Sequence, residues 1–215
     1  MPQIFPKWSN KAAKSAPLIL VLLAIFGVFA VWYWWSPKNL DVGYRPDQPI
    51  PFSHKQHASN LNIDCMYCHN QAEKSPFAGV PATSTCMNCH THQSNKDSLL
   101  LAGLMRSFND GTPIPWKRIH KVPDYAYFDH SAHISVGIGC ISCHGRIDQM
   151  IKVRQEEPLS MSWCLDCHRN PAPHLRPVNE VANMNYHQSD AYKKAALEKA
   201  KALNPPIESC SGCHR

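Results

Sequence analysis

Three observations predict a multihaem cytochrome c: a mostly irregular fold, with a few short α-helices packed around five haems and one N-terminal transmembrane helix. All ten cysteines fall into five C-x-x-C pairs, each followed at once by histidine. One uninterrupted apolar run, LILVLLAIFGVFAVWYWW, spans Leu18 to Trp35. The rest of the 215 residues has few apolar side chains and much of the chain's 18 prolines, too little to build a core from side chains alone.

The apolar run comes first along the chain. Its eighteen residues carry no charge and would form a helix of roughly 27 Å, close to a hydrocarbon core of about 30 Å. It starts after Pro17, a residue tolerated at a helix start, and ends in Trp32, Tyr33, Trp34 and Trp35, whose rings suit a headgroup zone. Pro37 is expected to stop it. Lys7, Lys11 and Lys14 precede it without an acid. The positive-inside rule then leaves residues 1–17 cytoplasmic, 18–36 as anchor and 37–215 on the periplasmic side of the inner membrane. A cleaved signal peptide would be shorter and would carry small residues where the bulky rings stand. Either reading exports the same domain.

The pairs are Cys65/Cys68, Cys86/Cys89, Cys140/Cys143, Cys164/Cys167 and Cys210/Cys213, followed by His69, His90, His144, His168 and His214. With 13 histidines in 215 residues, five such placements in five are no accident. C-x-x-C-H is the attachment signature of c-type haem. The two thiols add to the two vinyl groups of the porphyrin, and the next imidazole becomes an iron ligand. Zinc ribbons consume such pairs two at a time and give no reason for the histidine. A thioredoxin-like motif would occur once, in a βαβ context that is not visible here. A disulfide scaffold would not keep a uniform gap. Five covalent haems c would also supply the missing core. Their propionates, at roughly −1 per oxidised haem, would offset most of the formal charge of +6. No basic block of nucleic-acid type is present.

A repeat organises the exported part. FSHKQHASNLNIDCMYCH runs from Phe52 to His69, and FDHSAHISVGIGCISCH from Phe128 to His144. Both open F-x-H-x-x-H, and a second motif follows each. Two di-haem modules are expected, about 50–92 and 126–170, with a fifth haem at 189–215. Short helices are expected over Asp97–Phe108, ended by Asn109-Asp110-Gly111, and over Ser189–Leu203, stopped by Asn204-Pro205-Pro206.

A second axial ligand makes a haem suited to electron transfer, whereas an open position admits a substrate. His54/His57 and His130/His133 stand three apart before a motif, twice, so each pair can serve two irons. His120 is a further candidate. His187, His92 and His174 read as more ordinary. Met150 and Met184, ahead of Met161, are candidate thioether ligands, which would raise one haem's potential.

Several longer strings resemble a known family: FSHKQHA, CMYCHNQAEKSPFAGVPATSTCMNCH, WKRIHKVPDYAYFDHSAH and PLSMSWCLDCHRNP. With the anchor, they are similar to the pentahaem cytochrome c subunit of bacterial alternative complex III, over roughly residues 15–215. The resemblance implies a respiratory membrane assembly that oxidises menaquinol. In it, polytopic quinol-binding subunits feed an iron–sulfur subunit related to molybdopterin enzymes. The haem subunit passes electrons on to a mono-haem cytochrome c or a soluble carrier, and is an electron carrier rather than a catalyst. The resemblance is compatible with His54, His57, His120, His130 and His133 as ligands. The first alternative is a self-sufficient, anchored multihaem quinol dehydrogenase, whose first motif usually carries a nearby Met where this chain has CMYCHNQ. The second is a catalytic multihaem reductase, which wants an open haem, sometimes marked by Lys in place of the motif histidine.

Overall fold

A computed structural model describes residues 4–35, 41–92, 98–203 and 208–214. The chain divides into two compact units, Met1–Asp41 and Val42–Arg215. The expected stops at Pro37 and Asn204-Pro205-Pro206, and the expected helix start at Asp97, lie outside the described residues.

The first unit is one helix, α1, Lys7–Trp34, with no buried residue. It is long and apolar enough to cross a membrane. It begins earlier than the apolar run, and Pro17 lies inside it. Ala12, Ala13, Ala16 and three lysines are good helix formers, so the polar flank continues the helix. The Ser15 hydroxyl donates back to the Lys11 carbonyl at 3.1 Å.

The second unit holds short helices and no strand among its described residues; two isolated antiparallel bridges, Ala126–His214 and Ile138–Leu175, are its only β pairing there. Three helices are single turns built on attachment motifs: α2 (Cys65–Cys68), α6 (Ile141–His144) and α9 (Cys210–Cys213). Two longer ones, α3 (Thr83–His90) and α7 (Met161–Arg169), contain a whole motif. Between them lie α4 (Ala102–Asn109) and α5 (His130–Ser135). The expected stop after Asn109 is seen, with Gly111 at φ +63°. The last long helix, α8, runs Asp190–Ala202, and the Ser189 hydroxyl caps it by accepting from the Tyr192 amide.

Buried side chains are few and form three small clusters. Ile50, Met87 and Leu104 join α3 to α4, with Trp116 against them. Ala72, Ile134 and Val181 join the chain after the first motif to α5, with Met66 of that motif against them. Ile138, Ala172, Leu175 and Ala196 dock α8. Among the described residues only Leu175 and Gln155 are large and almost wholly enclosed. Clusters of this size leave the positions of the motifs to local turns and backbone hydrogen bonds.

Candidate haem-binding sites

Each motif sits on one helical turn. Cysteines at i and i+3 then share a face, and the histidine that follows leaves the turn beside them. The same bond closes three of the turns: the amides of His69, His144 and His214 donate to the carbonyls of Cys65, Cys140 and Cys210 at 2.9, 3.0 and 2.8 Å. The Asp64 carboxylate caps the first turn through the Met66 amide, and the Ser160 hydroxyl caps α7 through the Trp163 amide.

The cysteines differ in exposure. Cys89 is exposed, as is Cys210, whereas the other eight are half-buried. The packing of α3 gives the reason. Cys86 lies against the cluster of Ile50, Met87 and Leu104, but Cys89, one turn on, is not among the side chains packed there. It stands at the end of the helix, where its carbonyl accepts from the Thr91 and His92 amides. The second motif therefore presents one sheltered sulfur, on Cys86, and one open sulfur, on Cys89.

Four motif histidines face a second imidazole. His54 lies opposite His69 with ring centroids 6.5 Å apart, and His57 opposite His90 at 6.1 Å. In the other module His130 lies opposite His144 at 6.4 Å, and His133 opposite His168 at 6.1 Å. Metal–imidazole bonds of about 2 Å separate the centroids of two trans imidazoles by roughly 6.3 Å. The four spacings fit one iron between each pair. They also show how each F-x-H-x-x-H divides its labour: the first histidine faces the nearer motif and the second faces the farther one.

The outer ring nitrogens are tied to the backbone. Nδ1 of His57, His69, His130 and His133 donates to the carbonyls of Ser53, Gly79, Pro76 and Asp129 at 2.7–2.8 Å. His214 does the same to Tyr125 at 3.0 Å. Such bonds fix the tautomer that leaves Nε2 as the lone-pair donor, as in metal-binding histidines generally. Burial then keeps several rings neutral, the form that binds iron. It pushes His54 down to about 4 and His144 to about 3, in each case helped by neighbouring histidines. Burial also lowers His133.

The remaining candidates are placed differently. His120 meets His144 edge-on at 4.3 Å, too close for an iron between them, and its buried Nε2 has no hydrogen-bond partner. Burial lowers it to about 4. His214 has the Tyr125 ring at 5.6 Å. Met150 and Met184 are buried, whereas Met161 is exposed. The Met150 carbonyl accepts from the Lys55 amide, at the turn that carries His54 and His57. His92 and His187 are exposed. Among the described residues no group of three or more His, Cys, Asp or Glu side chains is placed to hold a bare metal ion.

The motifs also neighbour one another. The Asn88 amide of the second donates to the Tyr67 hydroxyl of the first at 2.9 Å. Pro76, after the first motif, holds His130, which faces the third. His130 and His133, on α5, serve the third and fourth. Arg169, after the fourth, pairs with Glu208, before the fifth, at 3.3 Å. The thiols repeat that order. Burial raises Cys68, Cys140 (to about 11), Cys143 (to about 12) and Cys164, and the next contribution comes from Cys86, Cys65, Cys167 and Cys213 respectively.

Comparison with known proteins meets this geometry at the first module. Residues 36–111 match the Class III cytochrome C family. That match spans the first module and agrees with the fold class expected from the sequence, a multihaem cytochrome c of short helices. Over 125 residues the chain is 31% identical to the menaquinone reductase multihaem cytochrome c subunit of Nitratidesulfovibrio vulgaris, covering 58% of this chain and 55% of that one. The chain thus spans about half the length of the curated relative it matches.

Sequence reasoning found both His pairs but not which histidine faces which motif. It also passed over Phe52 and Phe128, which lie against the paired imidazoles in both modules; their place at the head of each repeat was the signal.

Proposed function

We propose that this chain is the electron-transfer subunit of a membrane complex that exchanges electrons with the menaquinone pool. The observation that carries this reading is the set of four imidazole pairs at 6.1–6.5 Å. An iron held by two imidazoles has no free position for a substrate, so it stores and passes electrons. Haem c, when bound, supplies that one-electron exchange between ferric and ferrous iron.

The chain's own residues hold five such groups. Cys65/Cys68, Cys86/Cys89, Cys140/Cys143, Cys164/Cys167 and Cys210/Cys213 attach them. The exposure of Cys89 and Cys210 leaves one sulfur of the second and fifth sites facing outward. His69, His90, His144, His168 and His214 ligate from one side, and His54, His57, His130 and His133 from the other. The fifth site takes its second ligand from His120, Met150 or Met184. The contacts between motifs support a linear order: second, first, third, fourth, fifth. The ends of the row, at the second and fifth motifs, are where a donor and an acceptor dock. The partners are an iron–sulfur subunit, polytopic quinone-binding subunits, and a mono-haem cytochrome or soluble carrier. α1 anchors the chain with its N-terminus cytoplasmic and the haem domain outside.

In the alternative complex III reading the complex oxidises menaquinol and passes electrons outward. The menaquinone reductase relative favours the reverse direction. Purification from native membranes in mild detergent, followed by menaquinol addition and rapid optical recording, tests both. Co-purified iron–sulfur and polytopic subunits, with haem reduced by menaquinol, support outward flow. Reduced haem that is reoxidised by menaquinone supports the reverse. A lone haem protein that does neither overturns the proposal.

A further inference from the structure

We infer that Phe52 and Phe128 are positioning residues that turn one axial imidazole in each module, dividing the four paired sites into two electronic classes. The inference rests on the ligand reading above and goes beyond it.

The four pairs differ in the angle between their rings. His54 and His69 are almost parallel, at 2°, and so are His130 and His144, at 7°. His57 and His90 are crossed at 46°, and His133 and His168 at 56°. Parallel pairs occupy the first site of each module and crossed pairs the second. The same pattern thus occurs twice in one chain.

Its cause lies at the head of each repeat. The Phe52 ring stacks on His57 at 4.4 Å and 24°, and meets His54 edge-on at 4.9 Å and 90°. The Phe128 ring stacks on His133 at 4.5 Å and 30°, and meets His130 edge-on at 4.7 Å and 87°. One phenyl ring therefore fixes two imidazole planes nearly perpendicular to each other, using the two aromatic geometries that are favoured. The Nδ1 bonds to Ser53 and Asp129 lock the stacked ring against rotation. The facing His90 and His168 lie near the ends of α3 and α7, and the second pair in each module is crossed.

The angle matters because an imidazole donates π density perpendicular to its own plane. Two parallel rings raise the same iron d orbital and separate it from its partner. Two crossed rings raise one orbital each and leave the pair closer in energy. A ferric low-spin iron with nearly degenerate orbitals keeps more orbital angular momentum, so its largest g value is higher.

Frozen-solution electron paramagnetic resonance of the oxidised full-chain holoprotein tests this. Two low-spin signals of ordinary anisotropy and two with a distinctly larger principal g value are expected, beside that of the fifth haem. Phe52→Leu should shift the large-g signal of the first module, move that module's ordinary signal less, and leave both signals of the second module, and the number of attached haems, unchanged; Phe52→Tyr should restore the first module's signals. Phe128→Leu should do the same to the other large-g signal, so the test survives failure of either variant to fold. A single low-spin class for all four sites, or an unchanged spectrum in both Leu variants, overturns the inference while leaving the ligand reading intact. High-spin signals from these sites overturn both.

Discussion

The two F-x-H-x-x-H modules solve one problem with chains of different length. Eight residues separate His57 from Cys65 in position, but seven separate His133 from Cys140. The second module uses an α-helix, His130–Ser135, capped by Asp129 through the amides of Ser131 and Ala132. The first uses a π-helical turn, Lys55–Asn60, in which the Leu61 amide reaches back five residues to the Gln56 carbonyl. The wider turn absorbs the extra residue, a common origin of π-bulges at functional sites. Both modules then close alike. The Ile63 amide donates to the His57 carbonyl and the Ile138 amide to the His133 carbonyl, each at 3.0 Å. Asn62 and Gly137, three residues before their cysteines, both take positive φ, at 53° and 88°. What the fold preserves is the placement of histidine relative to cysteine, and the helix type gives way to it.

The surroundings differ more than the histidine placements do. Gly137 is buried against the Arg176 backbone: an added Cβ would lie 2.1 Å from the Arg176 carbonyl oxygen. Asn62 is exposed. Gly137→Ala should therefore cost on the order of 3 kcal/mol, combining backbone strain with displacement of the Arg176 segment. Asn62→Ala should cost only about 1 kcal/mol, from the left-handed conformation alone. Denaturant unfolding of the holoprotein followed by circular dichroism measures both; equal losses would mean that the Arg176 contact adds nothing to the cost at Gly137.

A smaller effect is expected where the modules are linked. Asp148 is buried, pairs with Arg146 at 2.7 Å, and accepts from the Ser59 hydroxyl of the first module's turn at 3.4 Å. The hydrogen bond from Arg146 holds its carboxyl below the ordinary value of 3.8. A depressed carboxyl stabilises the fold fully above its unfolded value, and the contribution is lost as pH falls through the folded value. Asp148→Asn should destabilise the protein by about 1 kcal/mol at neutral pH, a modest figure because Arg146 is half exposed. The gap between variant and parent should close below pH 3.8. A gap that persists in acid would show that the loss comes from packing.

The smallest effect is expected from shortening the first turn. Deleting Asn60 gives the first module the spacing of the second, so the turn should become α-helical and all attached haems should remain. Loss of a haem would show that the π-turn is needed for more than length.

How much the sequence revealed follows from the range of the interactions. The attachment motifs are local, and the Ser189 cap and Ala/Lys-rich interior of α8 announce that helix within two residues of its observed ends. The F-x-H-x-x-H repeat announced paired histidines because i, i+3 spacing is also local. The start of α1 was misplaced because Pro17 was read as a helix start, while the alanines and lysines before it continue the helix. The exposure of Cys89 was not legible either: the motif is the same at all five sites, and what shelters Cys86 but not Cys89 is a cluster drawn from Ile50 and Leu104, far away in the chain. The edge-on contact of His120 with His144, and the hold of Pro76 on His130, depend on residues 24 and 54 apart in the chain. Neither spacing nor composition encodes such contacts.

Every C-x-x-C-H in the chain is expected to carry a covalent haem. The mass of the intact mature polypeptide, taken from native membranes under denaturing conditions, tests it most directly. Five attached porphyrins are expected; a homogeneous product with four or fewer would contradict the account.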